Sequence, residues 1–177
     1  MAKVTALKTI TFVYKTREDR VLAAVNSGKP EAWSCWLTRR LVLALLERVT
    51  NLLANTSSLA QRAPADIRGE LVAFEREAAI AQTDKAMTHT PAEDLKTSGA
   101  VTELVERVTI SSQKDTFQLE LRGEAGGGAA ASVSRAELQR ILQMLQTEAG
   151  KADWLGPSAK PPATPASEEA GPKPARH

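Results

Sequence analysis

An offset of 96 residues lays one half of this chain on the other without a gap. Phe12–Val25 falls on Val108–Leu121 with Asp19 over Asp115, and Thr38 falls on Ser134 with Arg39 on Arg135. Val42, Leu45, Leu46 and Val49 then fall on Leu138, Ile141, Leu142 and Leu145. Few identities are shared, but hairpin, third strand, helix cap and apolar stripe recur in the same order and spacing, which is how a structural repeat shows itself. Three strands with one apolar face and one helix to cover it are too few to be stable alone, so the two halves are expected to share a core. The fold class that follows is α+β: pseudo-duplicated β-β-β-α units of antiparallel strands joined by a central helix.

The first unit is expected over about residues 9–55. Ile10, Phe12 and Tyr14 alternate with Thr9, Thr11 and Val13, a half-buried strand pattern rich in β-branched and aromatic residues. The charged segment Arg17-Glu18-Asp19-Arg20 interrupts it, and Val21–Val25 resumes it, giving a hairpin. Asn26-Ser27-Gly28-Lys29-Pro30 is dense in turn formers and marks a second reversal. A third strand, Ala32–Leu37, leads into the densest apolar segment of the chain. There Leu41, Val42, Leu45, Leu46, Val49, Leu52 and Leu53 form one stripe at the helical period. Thr38 is placed to cap this helix and Leu37 to staple onto Val42. Leu43 falls off the stripe, among Arg39, Arg40 and Glu47.

Between the units, Thr56–Ala63 reads as a loop. A central helix over 64–81 follows, opened by Pro64, with Ile67, Leu71, Phe74, Ala78 and Ala81 predicted to face the core. Gly69 inside it costs about 1 kcal/mol relative to alanine. Residues 82–100 form a polar connection, in which Thr90-Pro91-Ala92-Glu93 has the signature of a short helix start. Val101–Arg107 reads either as a continuation of that helix or as the start of a strand.

The second unit is expected over about 105–150. Val108–Ser111 and Thr116–Arg122 form a hairpin with Phe117, Leu119 and Leu121 inward. The glycine-rich stretch Gly123–Gly128 lacks the lysine and hydroxyl residue that end a phosphate-binding loop, so it reads as a hairpin connection. Ala129–Val133 is a third strand, and Ser134-Arg135-Ala136-Glu137 is a capping box stapled by Val133 and Leu138. The last helix should end near Gly150, with Trp154 folding back as a clasp. Residues 156–177 carry six prolines among small and charged residues and read as a disordered tail. Residues 1–155 are thus expected to be a single domain.

The 23 basic and 21 acidic residues leave a formal charge of +2, too near neutral to demand a polyanionic partner. Cys35 is the single cysteine, so no intrachain disulfide is available, and no Cys/His cluster suggests a metal. His89 and His177 lie in the polar connection and the tail, away from any expected rigid element. Asp19 and Asp115 recur because aspartate suits hairpin turns. Cys35, between Trp33 and Trp36, reads as a buried thiol. No catalytic, cofactor-binding or metal-binding residue is therefore assigned, no cofactor is expected, and an enzyme of unrecognised class ranks third behind the two binding readings below. The longest unbroken apolar run, Leu41–Leu46, falls far short of a membrane span, and the N-terminus lacks an export signal. A reducing, cytoplasmic setting follows, and the alanine- and arginine-rich composition suggests a bacterial source.

What remains is a non-catalytic binding or assembly protein. Its candidate protein interface is Trp33, Trp36 and Leu43, with another protein or a second copy as partner. The alternative is a single-stranded nucleic-acid binder using a basic edge made of Tyr14, Lys15, Arg39, Arg40, Arg135 and Arg140. Arg39 and Arg135, each one residue past a helix cap, would stand on a common edge.

Overall fold

The computed structural model describes residues 4–83 and 102–156. Seven strands, β1 (Val4–Ala6), β2 (Ile10–Lys15), β3 (Arg20–Val25), β4 (Trp33–Leu37), β5 (Glu103–Gln113), β6 (Thr116–Gly123) and β7 (Gly128–Ser134), form one sheet. Their order across it is β1-β7-β6-β5-β4-β3-β2. The helices are α1 (Arg39–Thr56), α2 (Ser58–Arg62), α3 (Arg68–Thr83) and α4 (Arg135–Lys151). The fold is therefore mixed α+β. The helix start expected at Thr90, and the tail from residue 157, lie outside the described residues.

Both expected meanders are present, β2-β3-β4 followed by α1 and β5-β6-β7 followed by α4. They are antiparallel internally, but the sheet as a whole is not. β4 joins β5 in parallel through Cys35↔Glu103 and Trp36↔Leu104, and β1 joins β7 in parallel through Val4↔Gly128, Thr5↔Ala129 and Ala6↔Ala130. The parallel joins arise because each is made between strands separated by a long stretch of chain, the helices α1–α3 lying between β4 and β5, so no tight hairpin dictates their sense. β5 settles the ambiguity in favour of a strand from Glu103 onward, Val101 lying outside the described residues, and a register shift between Val105 and Arg107 bends it where one meander meets the other.

The caps form as the residue types require. Thr38 Oγ1 accepts the Leu41 N–H at 3.3 Å, while Ser134 and Glu137 close a reciprocal capping box. α4 ends in a Schellman pattern: Trp154 N–H reaches the Ala149 carbonyl and Asp153 N–H the Gly150 carbonyl, with Asp153 at φ 54° in the position usually given to glycine. This delivers Trp154, 6% exposed, edge-on against Tyr14 with ring centroids 5.5 Å apart.

The core lies between the inner sheet face and the helices α1 and α4. Ile10, Phe12, Val21, Val25, Leu37, Phe117, Leu119 and Leu121 face Val42, Val49, Leu53, Leu138, Leu142 and Leu145. A small cavity of about 40 Å³, lined wholly by apolar side chains, remains among them.

Two expectations fail in the connecting region. Thr56–Ala63 is not a loop: Ser57 Oγ accepts the Ala60 N–H at 3.0 Å and caps the short helix α2. The central helix forms, but its apolar stripe is not buried in the core: Leu71 and Ala78 are half-buried at its border and Ile67, Phe74 and Ala81 are exposed. Phe74 is 65% and Ile67 40% exposed, while the opposite side turns inward. That side carries Glu75, whose Oε1 accepts the Ser57 hydroxyl at 2.9 Å, and Arg76, which donates to Gln146 of α4 at 3.4 Å. Polar partners on α4 and at the α1–α2 junction, absent from any local pattern, decide the orientation.

Candidate binding surfaces

Alternation along the strands sorts the sequence candidates onto two faces of the sheet. Trp33 points inward at the join between the meanders. Its indole N–H donates to Glu103 Oε1 at 2.9 Å, and Glu103 Oε2 accepts the N–H groups of Ala125 and Gly127 at 3.0 and 3.1 Å. The glycine-rich loop thus does cradle an anion, and that anion is the chain's own carboxylate. A Cβ on Gly123 or Gly127 would collide with it. Cys35, fully buried beside this seam, is an inert thiol: burial first, and the Glu103 charge second, push it up to about 12.

Leu43 packs half-buried against the core. Of the three interface candidates, Trp36 alone points to the outer face. It stands in a cross-strand row with Val13, Leu22 and Leu104, one residue from each of β2, β3, β4 and β5. Leu22, flanked by Val13 and Trp36, is 3% exposed even on this side. Beside the row on the same face stand Lys15 and Arg20, paired in register, and Arg107, which lies opposite Arg122.

The basic candidates are not brought together. Arg135 lies over the Phe117 ring at 5.6 Å and donates to the Leu53 carbonyl at 3.0 Å and the Thr56 hydroxyl at 2.7 Å, binding the last turn of α1. Arg39 and Arg40 are exposed in the first turn of that helix. The part of α1 from Arg39 to Leu53, roughly 20 Å at 1.5 Å per residue, separates Arg39 from Arg135, so the two share no edge. Arg135 is instead a clasp, helped by Glu75 at 3.9 Å. Arg140 is half-buried on α4. The Tyr14 hydroxyl donates to Asp19 Oδ1 at 2.9 Å, and that bond raises its pKa above the ordinary phenol value.

The surface that sequence reasoning placed in the core is the outward stripe of α3. Ile67 and Phe74, with exposed Ala81, line it beside exposed Glu70 and Glu77. The signal was present as an apolar period, but its direction was not.

Among the described residues no cluster of three or more His, Cys, Asp or Glu side chains is arranged to hold a metal ion, and no helix is long and apolar enough to cross a membrane. The chain matches no protein-family model, no curated protein and no solved structure.

Proposed function

We propose that this chain is a non-catalytic binding or assembly protein that engages another protein through the outward face of α3. The observation that carries this reading is the inversion of that helix. It turns Glu75 and Arg76 inward and leaves Phe74 65% exposed, and a large aromatic held outward on an amphipathic helix favours a partner surface. The inert Cys35 thiol and the internally satisfied Glu103 carboxylate support a non-catalytic role. The test is capture of native-cell proteins on immobilised wild type and Phe74→Asp. Polypeptides retained by the first and lost by the second support the reading; identical capture by both sinks it.

A second reading, a single-stranded nucleic-acid binder, is favoured by one observation: Lys15, Arg20 and Arg107 share the outer sheet face with Trp36. An indole flanked by cations suits base stacking with phosphate contacts. The site then lies on that face and not along the helix starts. Binding of a labelled oligonucleotide should weaken with salt and in Arg20→Glu/Arg107→Glu. No binding at low salt eliminates it.

We also infer that the two meander-helix units are equivalent. At the offset of 96, inward Val21, Ala23 and Val25 fall on inward Phe117, Leu119 and Leu121, and Val42 and Val49 fall on Leu138 and Leu145. The hairpin turns differ in length, closing at Lys15↔Arg20 in one and Gln113↔Thr116 in the other. Exchanging Val42/Leu45/Val49 with Leu138/Ile141/Leu145 should preserve a single cooperative unfolding transition; loss of cooperativity counts against equivalence.

A further inference from the structure

We infer that the outward face of α3 takes an amphipathic helix of a partner protein with basic residues on its rim. This rests on the protein-binding reading above and specifies the chemistry of the partner.

The first observation is spacing. Ile67, Leu71, Phe74, Ala78 and Ala81 recur at steps of four, three, four and three residues. That alternation keeps one seam facing a second helix over several turns, and it suits a helix far better than a strand or an irregular loop. The Leu71 N–H bonds the Ile67 carbonyl at 3.1 Å, so the helical path reaches back to Ile67 and the seam is continuous.

The second observation is shape. Exposed Ile67 and Phe74, with half-buried Leu71, make the first half of the seam bulky, while half-buried Ala78 and exposed Ala81 leave its second half shallow. A complementary helix therefore sets large apolar side chains against Ala78 and Ala81 and small ones against Phe74.

The third observation is charge. The groups on the inward side are already engaged, Arg76 donating to Gln146 and Glu75 accepting from Ser57, and exposed Arg68 donates to the Ala63 carbonyl. The open rim carries Glu70 and Glu77, both exposed. In an antiparallel pairing with a second copy centred on Phe74, Glu70 would face Glu77 of the partner, a like-charge contact that opposes association. Lysine or arginine at the corresponding positions of a different helix turns the same contact into an attraction. A seam of this length is small by interface standards, which points to a transient, micromolar complex.

The probe is a synthetic helical peptide of about three heptads, with leucine at alternating three- and four-residue steps and lysine on its rim. A twin peptide carries glutamate on the rim. Binding is read by fluorescence anisotropy to wild type, Phe74→Asp and Glu70→Lys/Glu77→Lys. All the substituted side chains are solvent-facing, and unchanged circular dichroism melts establish that the variants fold.

The expected result is binding of the lysine peptide about tenfold or more tighter than its twin, with the preference inverted in the double-lysine variant and both peptides lost in Phe74→Asp. Equal binding of the two peptides, abolished by Phe74→Asp, overturns the basic-rim partner and leaves the α3 interface standing. Indifference of both peptides and of captured proteins to Phe74→Asp overturns both. A dimer in sedimentation velocity that Phe74→Asp dissolves overturns the assignment in favour of a second copy.

Discussion

The carboxylate of Glu148, near the end of α4, accepts the main-chain N–H of Tyr14 in the edge strand β2 at 2.8 Å. Along β2, Ile10, Phe12 and Tyr14 direct their N–H groups away from β3, because Thr9 is the residue whose carbonyl pairs inward with Asn26. An exposed edge of this kind invites another strand. Glu148 occupies it with an acceptor that is 7% exposed and is itself held by Lys151 at 2.6 Å. Removing the acceptor by Glu148→Ala should lower stability by about 1–3 kcal/mol, the cost of a partly buried unpaired amide. Urea denaturation measures that loss, and light scattering should show a rise in self-association. Glu148→Gln keeps an acceptor and should lose less than half as much; equal losses would show that the edge contact is not what matters.

Asn26 ties three segments together. Its Oδ1 accepts the N–H groups of Lys8 and Thr9 at 2.9 and 3.1 Å, its Nδ2 donates to the Ala6 carbonyl at 2.8 Å, and its φ is 49°. Asn26→Ala removes all three bonds and strains the backbone, for an expected loss of about 2–4 kcal/mol. Asn26→Gly relieves the strain alone and should recover only about 1 kcal/mol of it. A full recovery in the glycine variant, read by the same denaturation curves, would show that the side-chain bonds contribute nothing.

Gly127→Ala tests the seam between the meanders. The added methyl meets the Glu103 carboxylate and the Trp33 indole nitrogen, both in fixed bonds and neither the free end of a mobile chain. A destabilisation of about 1–3 kcal/mol should accompany a change in tryptophan emission. The emission change should vanish when Trp33→Phe is added. Wild-type emission and stability in Gly127→Ala would mean that the loop simply shifts aside.

Cys35 has a pH signature. Its thiol is held at about 12 in the folded protein, above the ordinary value of 9.0, so unfolding releases a proton between those limits. The stability contribution is complete below pH 9 and is lost as pH rises toward 12, at up to about 1.4 kcal/mol per pH unit. Cys35→Ala should flatten that part of the stability–pH curve. At pH 8 the native thiol should resist a disulfide reagent that modifies it in denaturant; rapid modification of the native protein would contradict the burial.

What could be read from the sequence was whatever is decided within a few neighbouring residues. Thr38 and Ser134 cap their helices because a hydroxyl there meets free amides of the same turn. Trp33 and Trp36 stand on opposite faces because strand side chains alternate. The orientation of α3 could not be read, since periodicity groups Ile67 with Phe74 but is silent on what either side meets. Glu75 and Arg76 go inward because Ser57 and Gln146 wait for them, and those partners lie on other elements. Arg135 looked like the counterpart of Arg39, one residue past a cap. Its use as a clasp depends on the end of α1 arriving beside it, a fact of tertiary crossing. β1 offers three residues and no pattern of its own; its place is chosen by β7.

That last pairing bears on how the chain is made. Val4 and its partner Gly128 lie far apart along the chain, so Val4 is made long before the strand it pairs with. Strand β1 must wait, unpaired, while everything between it and β7 is synthesised. Contacts so distant along the chain slow the search for the native state, because closing a long loop precedes any reward. When β1 does dock, Asn26 secures it through the Ala6 carbonyl, so this edge strand is locked by a residue made soon after it and a strand made much later. Folding of this sheet should therefore finish with the docking of β1, the step that most depends on distant chain.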